Sequence, residues 1–287
     1  MLSGSLFGHF CWSVRLHHSE DRLLELLSSL ASQPLVFSDA MPAGYVPVPA
    51  LAHNAVATGP AQPNRKLLNK RLFLPLEPFL KARSKLHAAA LTDILSQTAE
   101  PSELQSQRLA HNKIDRITGT TPQSGGLFFT DELWPPSEGS EFDIYVRGHH
   151  HGLDIPSLFQ AMGEHGFGRD ASTGRGRFRV LSTQPVPALL SHSGNRWVSW
   201  SRGTRDSAMS EPRYRLFTHY GKLGALWSTD VVGPFKFPIT LWRPGATFAA
   251  PMSQTVFGQL LKNVHPARSG VIHNAWHFAV PYTEVSS

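Results

Sequence analysis

Gly166-Phe167-Gly168-Arg169-Asp170-Ala171-Ser172-Thr173-Gly174-Arg175-Gly176-Arg177-Phe178-Arg179-Val180 sets four glycines and four arginines within residues 166–179. Glycine tolerates positive φ and lets another group approach the main chain closely. Arginine adds permanent charge and a flat fork of donors that fits phosphate. The stretch therefore reads as a loop built to hold a polyanion. Its plainer reading is a flexible surface loop with solvated arginines.

The flanks narrow the kind of polyanion. Upstream, Asp154 is an N-cap candidate and Pro156 suits a first helical turn. Leu158, Phe159 and Met162 recur at helical spacing, and Gly163 and Gly166 close the run. Downstream, Arg175, Arg177 and Arg179 alternate with Gly176, Phe178 and Val180, which predicts a strand. The order is thus helix, glycine loop, strand. A dinucleotide loop runs strand, loop, helix, so that a helix N-terminus meets the phosphates. A P-loop needs Gly-Lys-Ser/Thr, whereas Gly174 precedes Arg175. Both nucleotide motifs are excluded. Side chains two apart on a strand lie about 6.6 Å apart. An arginine ladder of that pitch suits single-stranded nucleic acid.

Charge distribution agrees. The chain has 287 residues and a formal charge of +6. Residues 1–164 carry 13 Lys and Arg against 16 Asp and Glu, while residues 165–287 carry 14 against 5. A basic half that favours arginine is the footprint of phosphate binding, although such surfaces also serve solubility. Its 23 glycines and 22 prolines argue against a helical bundle. The single cysteine, Cys11, rules out an internal disulfide framework and reads as a small core residue. No apolar run reaches the ~20 residues of a membrane span, and there is no signal-peptide pattern. A cytoplasmic protein is expected.

Along the chain, Leu6, Phe7, Phe10, Cys11 and Val14 share a helical face, and Ser19 caps a second helix carrying Leu23, Leu26, Leu27 and Leu30. Residues 67–76 read as a basic strand, 77–97 as a helix, and 102–124 as an exposed hairpin or loop. Residues 126–132 and 141–147 read as strands. Pro185 and Pro187 mark a domain boundary, dividing the chain into 1–185 and 186–287. In the second part, strands are expected at 196–202, 214–220, 237–243, 247–250 and 271–280, with one helix at 254–263. Each part thus mixes strands with helices, an α+β pattern.

Other constellations carry less. His149, His150 and His151 are adjacent, so strand neighbours would face opposite sides and no metal-site spacing surrounds them. No nucleophile elbow is present. His111, with Lys113 and Arg116 nearby, could act as a general acid or base on RNA, or contact a phosphate or base edge. His165 could contact RNA or simply end its helix.

These residues resemble the repeat-associated (RAMP) proteins of CRISPR systems, and among them the family of Csm subunit four of type III-A interference complexes. Four patches carry the resemblance: Ser5–Trp12, Phe37–Pro42 with Val46–Pro49, His111–Gly119, and Gly166–Arg179. They span the first 180 residues or so. The resemblance implies two ferredoxin-like (RRM-like) RAMP modules, the first lacking its N-terminal strand, since only Met1–Gly4 precede the helix motif. It also implies a non-catalytic RNA-binding subunit without cofactors, acting in antiviral defence. The 5′ repeat-derived handle of the guide RNA would lie on Gly166, Phe167, Gly168, Arg169, Gly174, Arg175, Gly176 and Arg177. Lys66 and Lys70 would add phosphate contacts. His111, Asn112, Arg116 and Thr118 would reach the junction of handle and guide. Implied partners are the large Palm-domain subunit, the first backbone RAMP subunit and, indirectly, target RNA. A metal-independent guide-processing endoribonuclease of the same superfamily, and the equivalent type III-B subunit, are the alternative readings.

Overall fold

The computed structural model describes residues 1–52, 69–102, 104–168, 170–224 and 233–285. The chain opens on a helix, α1 (Ser3–His17), whose Leu6, Phe7, Phe10 and Val14 are buried. The Phe10 ring meets Phe37 edge-on at 5.2 Å and Phe159 at 6.1 Å. Helix α2 (Glu20–Ser29) begins where the Ser19 hydroxyl accepts the Arg22 N–H, and Glu20 and Asp21 favour its positive end.

Short strands follow. β1 (Leu35–Phe37) pairs antiparallel with β8 (Val146–Gly148), Val36 opposite Arg147. β2 (Met41–Pro42) pairs with β7 (Phe142–Asp143), and β3 (Tyr45–Pro47) with β4 (Phe73–Pro75). The strand expected over 141–147 is thus split between two partners. Of the basic strand expected over 67–76, residues 67 and 68 lie outside the described residues, and of the rest only 73–75 form a strand, β4, which leads straight into α3 (Leu76–Ala82).

The helix expected over 77–97 is two helices, α3 and α4 (Ala88–Gln97). The interruption has a tertiary cause. The Leu86 N–H leaves the helical ladder to donate to the Thr283 carbonyl at 2.8 Å, and the His87 ring then caps α4 through the Ala90 N–H. A long hairpin comes next, β5 (Gln105–Asn112) against β6 (Leu127–Trp134), eight residues each in continuous register. Helix α5 (Ile155–His165) starts at Asp154, whose carboxylate accepts the Ser157 N–H, with Pro156 in its first turn. It ends at Gly166, with φ of +92°.

The strand predicted over 175–180 is absent: no ladder includes these residues. Their backbone turns back on α5 instead. Phe178 N–H donates to the Gly163 carbonyl at 3.2 Å and Val180 N–H to the Gln160 amide at 2.9 Å. A side chain at Gly163 would collide with the Phe178 carbonyl, so the missing Cβ is what permits this contact.

Beyond residue 186 the described residues contain strands and one 3-10 turn but no α-helix. β9 (Arg196–Ser199), β10 (Ser210–Arg213), β13 (Thr247–Ala249) and β16 (Ala279–Tyr282) form an antiparallel sheet in the order β10-β13-β9-β16. β11 (Leu216–His219) pairs with β12 (Ile239–Trp242). The helix expected at 254–263 is a strand, β14 (Phe257–Leu261), paired with β15 (His273–His277). Gly258 decides it: at φ of +91° it sits so close to the Ala275 carbonyl that no side chain fits. Among the described residues this makes a mixed helix-and-sheet fold of small antiparallel sheets, only one of them four-stranded.

The largest core draws on both sides of residue 185. Leu6, Phe10, Phe37, Leu91 and Leu158 pack with Val198, Trp200, Phe278 and Tyr282. A buried ionic staple reinforces it. Asp39 pairs with Arg202 and accepts the Ser3 N–H at 2.9 Å, so one carboxylate ties β1's end, the start of α1 and the C-terminal half. No strand precedes α1. β15 contacts both α1 and β1, and Asn274 Nδ2 donates to the Leu35 carbonyl at 3.2 Å. Pro34, the preceding residue, turns its carbonyl to β8 through the His149 N–H, so Leu35's points away from β8. A C-terminal strand therefore covers the flank where an opening strand would pair.

Candidate nucleic-acid interface

The glycine loop is a closed lasso. Phe167 N–H donates to the Gly176 carbonyl at 2.8 Å, drawing the two ends together, and the 3-10 turn Ala171–Thr173 fills the bend. Gly176, at φ of +67°, lies against the Phe167 backbone where no Cβ fits. The glycines at 163, 166 and 176 thus serve chain-to-chain contact. Those at 168 and 174 have open space beside them.

Two neighbours fix the lasso. On one side α1 presents His9, whose Nε2 accepts the Gly168 N–H at 3.3 Å while its ring packs on Phe167 at 4.6 Å. Burial lowers the His9 pKa, which keeps the ring neutral and able to accept. On the other side Arg175 reaches the β5–β6 hairpin. It pairs with the Glu132 carboxylate at 2.9 Å and lies 5.3 Å from the centre of the Trp134 ring. Glu132 and Trp134 are two apart on β6 and so share a face.

That face continues outward. His111 is opposite Phe128 in the ladder, and the rings stack at 5.2 Å and 16°. His111 Nε2 is 2.8 Å from the Thr130 hydroxyl. On the other face Arg108 lies over Phe129 at 5.0 Å. Leu127, Phe128, Phe129, Leu133 and Trp134 are all exposed, an unusual load of apolar surface for one ribbon. Aromatic faces beside guanidinium groups are what stacking of single-stranded bases requires. At the tip, the Asp115 carboxylate accepts the Ile117 and Thr118 N–H groups, and Thr121 donates to the Asn112 side chain.

Of the sequence-expected residues, the structure brings Gly166, Phe167, Gly168, Gly174, Arg175, Gly176 and Arg177 into the lasso, and seats the hairpin carrying His111 and Asn112 beside it through Arg175. Arg116 and Thr118 are exposed in the hairpin's connecting loop. Lys70 is exposed ahead of β4, in a different part of the chain. Lys66 and Arg169 lie outside the described residues. The ladder of three arginines is corrected with the strand that was to carry it. Arg175 is engaged by Glu132, whereas exposed Arg177 and Arg179 have no carboxylate partner among the described residues. His9, Glu132, Trp134 and Phe128 went unassigned in the sequence. His9 falls within the Ser5–Trp12 patch, and the alternation at 132 and 134 was the only signal for the rest.

The histidine run has a packing role. His151 Nε2 donates to the Gln33 carbonyl at 2.9 Å and its Nδ1 is 3.2 Å from the Ser29 hydroxyl, joining the β8 turn to α2. Among the described residues, no group of three or more His, Cys, Asp or Glu is placed to hold a metal ion, and no helix is long and apolar enough to cross a membrane.

No protein-family model and no curated protein matches this sequence. Solved structures do match in fold. A chain of the Csm1-Csm4 cassette in complex with pppApA superposes with a TM-score of 0.55 at 15% identity, covering 100% of this chain and 93% of that one. A chain of the Csm3-Csm4 subcomplex in the type III-A CRISPR-Cas interference complex gives 0.58 at 11% identity, covering 98% and 94%. The same cassette with pppApApA gives 0.56 at 14% identity. The fold is thus that of a subunit of type III-A CRISPR-Cas assemblies. The component common to the two kinds of assembly is Csm4, and the fold of this chain is Csm4-like over 98–100% of its length.

Proposed function

We propose that this chain is the RNA-binding subunit of a Csm effector assembly, clasping the 5′ repeat-derived handle of the guide RNA without cutting it. The observation that carries this reading is the latch between lasso and hairpin. Arg175 is held by Glu132 and Trp134 on a ribbon of stacked and exposed aromatics, and the exposed Arg177 and Arg179 follow it closely in the chain. Phosphates would follow the arginines and bases would meet the rings. Arg169, Lys66 and Lys70 would add further phosphate contacts. His111, Asn112, Arg116 and Thr118 would meet the strand where handle becomes guide.

On this reading residues 1–185 and 186–287 are two ferredoxin-like RAMP modules fused through one core. The large Palm-domain subunit and the first backbone RAMP subunit would be its partners. The solved relatives, being Csm1-Csm4 and Csm3-Csm4 complexes, support that pairing. His111 is packed on Phe128 and bonded to Thr130, so its ring is engaged in the ribbon, which supports binding over cleavage.

The test is labelled repeat RNA incubated with the full chain in chelator. The expected result is a stable complex with intact RNA. For about five neutralised phosphates, log affinity should fall with log salt at a slope near −3.5. A flat salt response, or cleavage abolished by His111→Ala, refutes the reading.

A further inference from the structure

The β11–β12 ribbon runs on past its ladder, and there its two faces differ sharply. Lys222 bridges Phe235 antiparallel, between two flanking bonds: Leu223 N–H donates to the Pro234 carbonyl at 2.7 Å and Lys236 N–H to the Gly221 carbonyl at 2.9 Å. Lys222 and Phe235 are therefore directly opposed, with side chains on one face. The Lys222 Nζ lies 6.0 Å from the centre of the Phe235 ring, as that register requires. Tyr220 and Phe237, each two residues further along its strand, fall on the same face.

Burial alternates in step. Tyr220, Phe235 and Phe237 are 75%, 65% and 50% exposed, and Lys222 is exposed as well. Gly221 and Leu223, between them in sequence, are buried, and the Lys236 ammonium donates to the Ile272 carbonyl at 3.4 Å. Leu223 packs with Ile239, Leu241 and Val264 behind the ribbon, and the Phe237 N–H is tied to the Val264 carbonyl at 2.9 Å. The outer face is thus a backed, hydrogen-bonded surface that presents three aromatic rings and one ammonium to solvent. Opposed positions on it are about 5 Å apart, and positions two apart on one strand about 6.6 Å.

Charge narrows the occupant. No Asp or Glu occurs in residues 214–224 or 233–243, and residues 165–287 carry 14 Lys and Arg against 5 Asp and Glu. A purely apolar partner would strand the Lys222 ammonium and the Tyr220 hydroxyl. A chain that repeats flat rings along an anionic backbone serves all four side chains at once, its bases on the rings and a phosphate on the lysine.

We propose that Tyr220, Lys222, Phe235 and Phe237 form a stacking platform for single-stranded RNA, on residues that the glycine loop does not use. The choice of RNA rests on the function proposed above, whereas the platform itself does not. With one phosphate neutralised, the slope of log affinity against log salt is about −0.7, far shallower than that expected of the loop.

The test uses the full chain and a short labelled oligouridylate carrying one 4-thiouridine, with the crosslink yield at each peptide titrated to give a site-resolved affinity. Crosslinks are expected at Tyr220 and in the peptide holding Phe235 and Phe237. Tyr220→Leu and Phe237→Leu keep the apolar surface but remove the ring faces, and each should weaken binding at this site about fivefold or more, while Tyr220→Phe stays within about twofold. Arg177→Ala with Arg179→Ala should leave these crosslinks unchanged, so a failure of the loop assignment and a failure of the platform give different results. Should a leucine variant fail to fold, Lys222→Gln decides, by removing the salt dependence at this site. The proposal is overturned if no crosslink maps to this face, if the leucine variants bind as the parent does, or if the chain self-associates in sedimentation velocity and Phe237→Ser abolishes it, which would show a second copy covering the face.

Discussion

Replacing Asp39 by alanine should be among the most damaging single changes in this chain, and the structure supplies the magnitude. The carboxylate is 6% exposed and its partner Arg202 19% exposed. It accepts from the Ser3 N–H at 2.9 Å, from the Arg202 N–H at 3.3 Å and from the Arg202 side chain. Truncation strands a guanidinium whose pKa burial and neighbouring Arg243 already lower to about 10. Breaking one side of a buried pair costs about 3–5 kcal/mol. The orphaned Ser3 N–H, at the first turn of α1, falls partly within that figure, so a loss of about 4 kcal/mol is expected. With a urea m value of about 3 kcal/mol/M for a chain of this size, the midpoint should drop by roughly 1.3 M. Urea unfolding followed by far-ultraviolet circular dichroism measures it. Arg202→Ala and the double variant complete a cycle, in which the double should be far less damaging than the sum. A midpoint shift below about 0.3 M for Asp39→Ala, or strict additivity, would show that the staple carries no weight.

Acid should destabilise the fold through two buried histidines. Burial lowers His277 to about 4 and His273 to about 3, both from 6.5. The unfolded state therefore binds the extra protons first, so their contribution is complete above pH 6.5 and is lost as pH falls. Between pH 7 and 5 each should cost roughly 2 kcal/mol, visible as falling urea midpoints. His277→Gln should flatten part of that slope. At the interface, Arg177→Ala with Arg179→Ala should weaken handle RNA by about 2–4 kcal/mol and make the salt slope about 1.4 units shallower, with little change in stability. Arg175→Ala should instead loosen the latch: affinity falls about tenfold, and Glu132→Gln should reproduce much of that loss without removing any arginine. An unchanged affinity in Glu132→Gln would rule the latch out. Gly176→Ala, forcing a side chain into the Phe167 backbone, should disorder the lasso and be read as local protease sensitivity between residues 166 and 180.

Elements whose signals are local were legible from the sequence. The buried stripe of α1, the Ser19 cap on α2 and the Asp154–Pro156 start of α5 all stand where periodicity and capping placed them. Residues 102–124 read as an exposed hairpin or loop and 126–132 as a separate strand, whereas the structure joins 105–112 and 127–134 into one hairpin, a pairing that no local signal specifies. Elements decided by distant partners were not legible. Residues 254–263 carry Leu260 and Leu261 at a spacing compatible with a helix, yet pairing with β15 at Gly258 makes them a strand. Residues 175–180 alternate like a strand, but the Phe178 and Val180 N–H groups find α5 and no ladder includes the stretch. The same holds at the site. The arginines of the loop were visible, whereas the partner that holds one of them sits on a hairpin far earlier in the chain. Composition could not tell a charge free for phosphate from one already committed to Glu132.

The core that crosses residue 185 has a consequence for how the chain can be cut. Residues 181–188 are exposed on the way between the halves, so a protease can reach them. Severing them removes the covalent connection but leaves the Asp39–Arg202 staple and the Phe37–Trp200–Tyr282 packing in place. The nicked molecule is then a heterodimer of its own fragments, and its stability acquires a dependence on concentration that the intact chain lacks. The largest core loses a wall in either fragment, although residues 186–287 keep two smaller apolar clusters of their own. The two halves are better regarded as subunits joined by a strap than as beads on a string, and co-expression of 1–185 with 186–287 should return an assembled protein where 1–185 alone is insoluble.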